Sequence, residues 1–117
     1  MRYMLLLCET DEMERELEAQ GPEGRQQSLD RVVDWMERHR DKIVHRGARL
    51  APPQTATTLR RKDDGELVVT DGPFVETVEF LGGYVEVDVA DLDEAIRMVH
   101  DWPGCPTVEI RPIALQV

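Results

Sequence analysis

With 117 residues, 41% of them apolar and 32% charged, the chain has the composition of one soluble domain and is too apolar for intrinsic disorder. Its 24 acidic residues against 14 Lys and Arg give a formal net charge of −10, so the concentrated basic face that nucleic-acid phosphates require is missing and DNA and RNA are rejected as partners. Arg60-Arg61-Lys62 is a local exception, but Asp63, Asp64 and Glu66 follow at once and the run reads as a solvated hairpin.

The opening Arg2-Tyr3-Met4-Leu5-Leu6-Leu7-Cys8 pairs a basic residue with an apolar run that Glu9, Asp11 and Glu12 cut short. It predicts a first strand in a cytoplasmic chain without a membrane partner, not a leader. Cys8 and Cys105 have no C-x-x-C neighbour and read as reduced thiols, Cys8 a small buried hydrophobe and Cys105 a loop thiol. From Glu9 to Gly24, acids dominate and Gly21, Pro22 and Gly24 act as breakers, which predicts a surface segment with a helical turn or two. Ser28 offers an N-cap, and Leu29, Val32, Val33 and Met36 repeat at helical spacing, predicting an amphipathic helix to about Lys42.

Ile43 to Leu50 reads as a strand that Ala51-Pro52-Pro53 bends, because proline cannot donate to a ladder. Thr55 to Arg61 and Glu66 to Thr70 flank Asp63-Asp64-Gly65 and predict a hairpin. After a turn at Asp71, Gly82 to Val89 alternates Val85, Val87 and Val89 with Glu86 and Asp88, so one face of that strand is buried and the other is wet or meets a partner. Asp91 with Glu94 three positions later caps a second helix with an apolar stripe of Leu92, Ala95, Ile96 and Val99. Trp102-Pro103-Gly104 stops it, and Thr107 to Ile113 forms a last strand.

This order predicts a single α+β domain over residues 1–117, a ferredoxin-like antiparallel sheet with two helices on one face. The other sheet face is left uncovered, and face-to-face packing in a homodimer closes it.

Residues along nearly the whole chain carry a family resemblance: Arg2 to Leu6, Leu50 to Leu59, Asp71-Gly72-Pro73-Phe74 with Glu76-Thr77, Gly82-Gly83-Tyr84, Asp88 to Ala95, and Val108 to Pro112. They resemble the DGPF-domain proteins, which belong with the YCII-like group of the dimeric α+β barrel superfamily. The resemblance implies a ferredoxin-like protomer, a dimeric barrel, a cleft beside the Asp71 turn, and a functional link to sigma-factor-type regulators. Such proteins commonly carry a lysine after the Asp-Gly-Pro-Phe run. Here Val78 stands between Thr77 and Glu79, so no role of that lysine transfers.

The candidate chemistry centres on carboxylates and imidazoles. Asp71, Glu76 and Glu79 lie within nine positions, and carboxylates crowded in a dry cleft raise one another's pKa into a useful range for proton transfer. The competing reading makes Asp71 a turn acceptor, Gly72 a source of unusual backbone angle, Pro73 a stiffener and Phe74 a core plug. His39, on the flank of the first helix, and His45, on the following strand, are candidates for a shared cleft, while His100 complements a helix dipole. The catalytic candidates are therefore Asp71, Glu76, His39 and His45, and the ligand-binding candidates Phe74, Glu79 and Tyr84. No metal or cofactor is expected, for want of H-x-x-x-H, C-x-x-C or phosphate-cradling glycine motifs. Two functional readings stand: a small-molecule-binding or regulatory module of a homodimer, and a cofactor-independent enzyme acting on a small, polar or aromatic, substrate by carboxylate or histidine general acid/base catalysis.

Overall fold

The computed structural model describes residues 1–116. Its strands are β1 (Arg2–Thr10), β2 (Ile43–Arg49), β3 (Thr57–Arg61), β4 (Leu67–Asp71), β5 (Glu79–Asp88) and β6 (Thr107–Pro112). Its helices are α1 (Asp11–Ala19), α2 (Gly21–Arg38) and α3 (Leu92–His100). Strands β2, β5, β1 and β6 form, in that order, one antiparallel sheet, and β3 with β4 forms a separate two-stranded hairpin. With the hairpin set aside, the order is that of a ferredoxin-like α+β fold, as the sequence predicts.

Alternation along the strands sorts the sheet into two faces. Tyr3, Leu5, Val85 and Val87 point to the helices and form the core with Trp35, Met36, Ala95 and Met98. Trp35 is its centre: it is fully buried, its Nε1 donates to the Met98 carbonyl oxygen at 2.9 Å and to Asp101 Oδ1 at 3.0 Å, and its ring meets Trp102 edge-on at 5.0 Å. In register on the opposite face lie Met4, Leu6, Tyr84, Glu86 and Arg111, and no element of this chain covers them among the described residues.

Several helical expectations are corrected. The segment after β1 is a full helix, α1, capped by Thr10, whose hydroxyl accepts from the Met13 amide at 3.3 Å. The first turn of α2 begins at Gly21 with Pro22 just inside it, a position that suits a residue lacking an amide donor. Ser28 therefore sits inside α2 and caps nothing; its hydroxyl donates to the Gln20 side chain. The helix also ends at Arg38, earlier than Lys42, and buries Trp35 and Met36, while Leu29 and Val33 face outward. In α3 the cap is as expected: Asp91 Oδ1 accepts from the Glu94 amide and Glu94 Oε2 accepts from the Ala90 amide, both at 2.9 Å. Its buried residues are Ala95 and Met98, whereas Leu92 and Ile96 of the expected stripe are exposed. The thiols exchange roles, Cys105 being the buried one and Cys8 only half-buried; both are free.

The hairpin breaks the compactness. The radius of gyration is 16.5 Å, against about 13 Å for a compact chain of this length. The thinnest dimension, 19 Å, is the one sheet and one helix layer of the body.

Candidate functional site

Two recesses hold most of the candidate residues. The larger, about 500 Å³, lies between the Leu50–Pro53 segment and the turn from Pro73 to Leu81. The sequence builds it locally. Pro52 and Pro53 end the β2 ladder and start a single 3-10 turn, Pro53–Thr55, that turns the chain toward β3. Gly72, at φ 101°, turns it out of β4, in a region of backbone space that glycine enters freely. Pairing along the hairpin stem then fixes the turn: the Gly72 amide donates to the Ala56 carbonyl at 2.7 Å, Thr58 Oγ1 donates to the Gly72 carbonyl at 2.7 Å, and Arg60 Nη2 donates to the Phe74 carbonyl at 3.0 Å. At the other wall, the Leu50 amide donates to the Gly82 carbonyl at 2.8 Å. The lining is apolar, chiefly Leu50, Pro52, Phe74, Phe80 and Leu81, with Thr55, Thr77 and Glu79 as polar residues.

The smaller recess, about 430 Å³, opens on the uncovered sheet face and is lined by Met4, His45, Arg46, Gly47, Tyr84 and Glu86. Glu86 is only 9% exposed and accepts from Arg2 Nη1 at 2.8 Å, so its buried charge is paired. His45 lies opposite Glu86 in the β2–β5 register, which is irregular on both sides of this pair. Gly47, at φ 68°, shapes the edge: a Cβ there would stand 1.7 Å from the Tyr84 carbonyl oxygen.

The candidates from sequence divide between these places and a third. Phe74 and Glu79 line the apolar recess; Tyr84 and His45 line the recess on the sheet face. Asp71 is exposed at the end of β4 opposite Thr57, and Glu76 is exposed; neither lines either recess. Phe74 is 71% exposed and so does not plug the core, which corrects its structural reading. His39 lies in the helix layer, its Nε2 3.2 Å from Asp101 Oδ1, and shares no recess with His45. Burial alone would raise the Asp101 pKa, but hydrogen bonds from His39, Trp35 and Arg38 outweigh it and hold the carboxyl below its ordinary value. That cluster ties the end of α2 to the end of α3. Among the described residues no three His, Cys, Asp or Glu side chains gather as a metal site.

Sequence reasoning passed over Arg2 and the proline wall, and treated Glu86 only as part of an alternation. An acid between two buried valines, on a face with nothing of its own to cover it, was the available signal for Glu86. The Arg2 pairing depends on a contact across 84 positions that no local pattern shows.

Among the described residues no helix is long and apolar enough to cross a membrane. Comparison with known proteins gives two findings. A family model of the YCII-related domain matches residues 1–114. A protein of Rhizobium meliloti (strain 1021), described as uncharacterized protein R00369, is 46% identical over 72 residues, a match that covers 58% of this chain and 57% of the relative. The chain thus spans a little over half the length of that relative.

Proposed function

The chain belongs to the YCII-related domain family, and on that premise we propose that it is a small-molecule-binding, regulatory module working as a homodimer. Its ligand is a small apolar or aromatic molecule with a cationic or hydrogen-bond-donating end, held in the recess under the Asp71–Phe74 turn. The observation that carries this reading is the apolar recess of about 500 Å³ with Phe74 left 71% exposed at its wall. The volume is within the range of ordinary ligand sites, which are mainly apolar with a few placed polar groups. A large exposed ring on a tethered turn adds little to the stability of the free fold, so its contribution lies in what binds against it. The Glu79 carboxylate at the rim and the net charge of −10 favour a cationic end over an anionic one. Because the turn shares hydrogen bonds with the hairpin stem, occupancy is transmitted to the hairpin.

General acid/base catalysis has less support. It needs titratable groups converging on one reacting atom, whereas Asp71 and Glu76 line neither recess and His39 and His45 share none. The test is a pair of probes of one shape and opposite charge, phenethylamine and phenylacetate, titrated into labelled protein. Amide resonances of Phe74, Val75, Phe80 and Leu81 are expected to shift with the amine and much less with the acid. Unmoved amides with both probes, or shifts confined to His45 and Glu86, would overturn the reading.

A further inference from the structure

We propose that Arg49 is a positioning residue of the apolar recess and that α1 is the element through which the recess signals: Arg49 ties the proline wall to α1 through Glu9 and Glu14, and filling the recess firms that helix. The inference rests on the ligand reading above and names how that site is regulated. Three observations lead to it.

The recess and α1 share one stretch of ladder. Cys8, Glu9 and Thr10 pair with Leu81, Phe80 and Glu79, three residues of the lining, and Thr10 is also the N-cap of α1. At the other wall Arg49, the last residue of β2, precedes Leu50. The Arg49 guanidinium reaches to both sides of that cap: its Nη2 donates to Glu14 Oε2 in α1, and its Nε lies 3.6 Å from Glu9 Oε1 in β1.

Backbone geometry keeps a path open for this contact. The β1–β5 register slips between Leu7 and Cys8, which leaves Gly82 as an extra residue on β5. Bulges of this kind re-aim side chains beside sites. A Cβ on Gly82 would stand 2.4 Å from the Glu9 carboxyl carbon, so glycine there lets Glu9 lie across β5 toward Arg49. The side chains of Glu9 and Glu14 are 20% and 30% exposed, and water screens this network less than it does an open surface pair.

The helix itself is poised near its limit. Its nine residues, none of them fully buried, are too few for a helix to hold alone. Like charges oppose each other at Glu12 and Glu16 and at Glu14 and Glu18, and the last turn has no basic residue to meet the helix dipole. Its one cation, Arg15, is exposed, and Arg49 supplies a second from the recess wall. A ligand held against Leu50, Phe74 and Phe80, with its cationic end at Glu79, fixes both walls and thereby the base from which Arg49 reaches α1. Coupling of this kind is reciprocal, so whatever loosens α1 also weakens the ligand.

Amide hydrogen exchange and phenethylamine titration on the full chain test this. Arg49→Gln is expected to speed exchange of the α1 amides about 2- to 5-fold, with the core amides of β1 and β5 unchanged. Saturating phenethylamine is expected to slow the α1 amides of the wild type but not those of the variant, and the variant's affinity for the probe is expected to fall by a similar factor. The sign is decisive: losing a positive charge near the recess would by itself tighten a cation, whereas losing a positioning contact weakens it. Arg49→Lys keeps the charge and is expected to recover part of the affinity. An Arg49→Gln protein that binds phenethylamine as tightly as the wild type, or more tightly, overturns the inference. A bound probe that leaves the α1 amides of the wild type unchanged also overturns it, and the ligand reading then stands. No binding to either protein brings down the ligand reading and the signalling role together. Should Arg49→Gln fail to fold, Glu14→Gln breaks the same tie from the α1 side: faster α1 exchange supports the inference, and unchanged or slower exchange overturns it.

Discussion

The half of the molecule around Trp35 and the half between Leu50 and Leu81 are stabilised by different means. Around Trp35, two helices and a four-stranded sheet bury Tyr3, Leu5, Val85, Val87 and Met98 to a few percent exposure or less. The indole nitrogen there is satisfied by Met98 and Asp101. Between Leu50 and Leu81 the apolar residues are largely outside, and backbone hydrogen bonds, three prolines and Gly72 hold the chain in place. Packing therefore fixes the body, whereas local backbone geometry fixes the turn. A segment shaped without a core keeps its side chains free for a ligand or a second subunit.

The largest test of that contrast is Trp35→Ala. It removes the central side chain of the core and its hydrogen bonds, and is expected to cost about 3–5 kcal/mol, seen as a lowered denaturant midpoint. A loss below about 1 kcal/mol would show that the body is not organised around Trp35.

Gly47→Ala comes next. The residue has φ 68°, and a Cβ would collide with the Tyr84 carbonyl oxygen, so β2 must shift away from β5. The expected cost is roughly 2–3 kcal/mol, with loss of the recess that His45 and Glu86 share. An unchanged melting temperature would mean that the β2 edge yields freely and belongs with the half that is shaped without a core.

Asp101→Asn probes the link between the two helix ends. The Asp101 pKa is lowered in the folded state: burial pushes it up, and the hydrogen bonds from His39, Trp35 and Arg38 prevail. A carboxyl whose folded pKa lies below its unfolded value contributes stability that is present above the unfolded value, about 3.9, and is lost as pH falls through the folded one. The variant is therefore expected to be less stable than the wild type at neutral pH, by about 1 kcal/mol or less because the group is partly solvated. The two proteins should converge in acid. A gap that is constant with pH would remove the ion pairing from the explanation.

Much of the body was legible in sequence. The valine alternation of β5 and the Asp91–Glu94 capping box are local patterns with direct physical meaning, and the structure has both. The start of α2 was misplaced because Gly21, Pro22 and Gly24 read as breakers, although proline fits a first helical turn. Trp35 was passed over as core because the helical stripe was drawn through Leu29 and Val33, which face outward. The site was less legible. The turn at Asp71 and the ligand candidates Phe74 and Glu79 are close in sequence, so their neighbourhood was foreseeable, but the opposite wall of Leu50 and Pro52 depends on β2 pairing with β5. Likewise His39 and His45 are six positions apart and still belong to different layers, because α2 ends between the helix face and the sheet edge.

Phe74→Ala is expected to have the smallest effect on stability, and it sharpens the comparison most. At 71% exposure the ring has little to lose on truncation, and the carbonyl that Arg60 holds belongs to the backbone and survives the change. Unfolding free energy is expected to stay within about 0.5 kcal/mol of the wild type. Affinity for phenethylamine is expected to fall several-fold, because the ring forms one wall of the recess. A large stability loss would make Phe74 a structural residue after all and join the turn to the body. Equal stability with unchanged affinity would remove the ring from the ligand site.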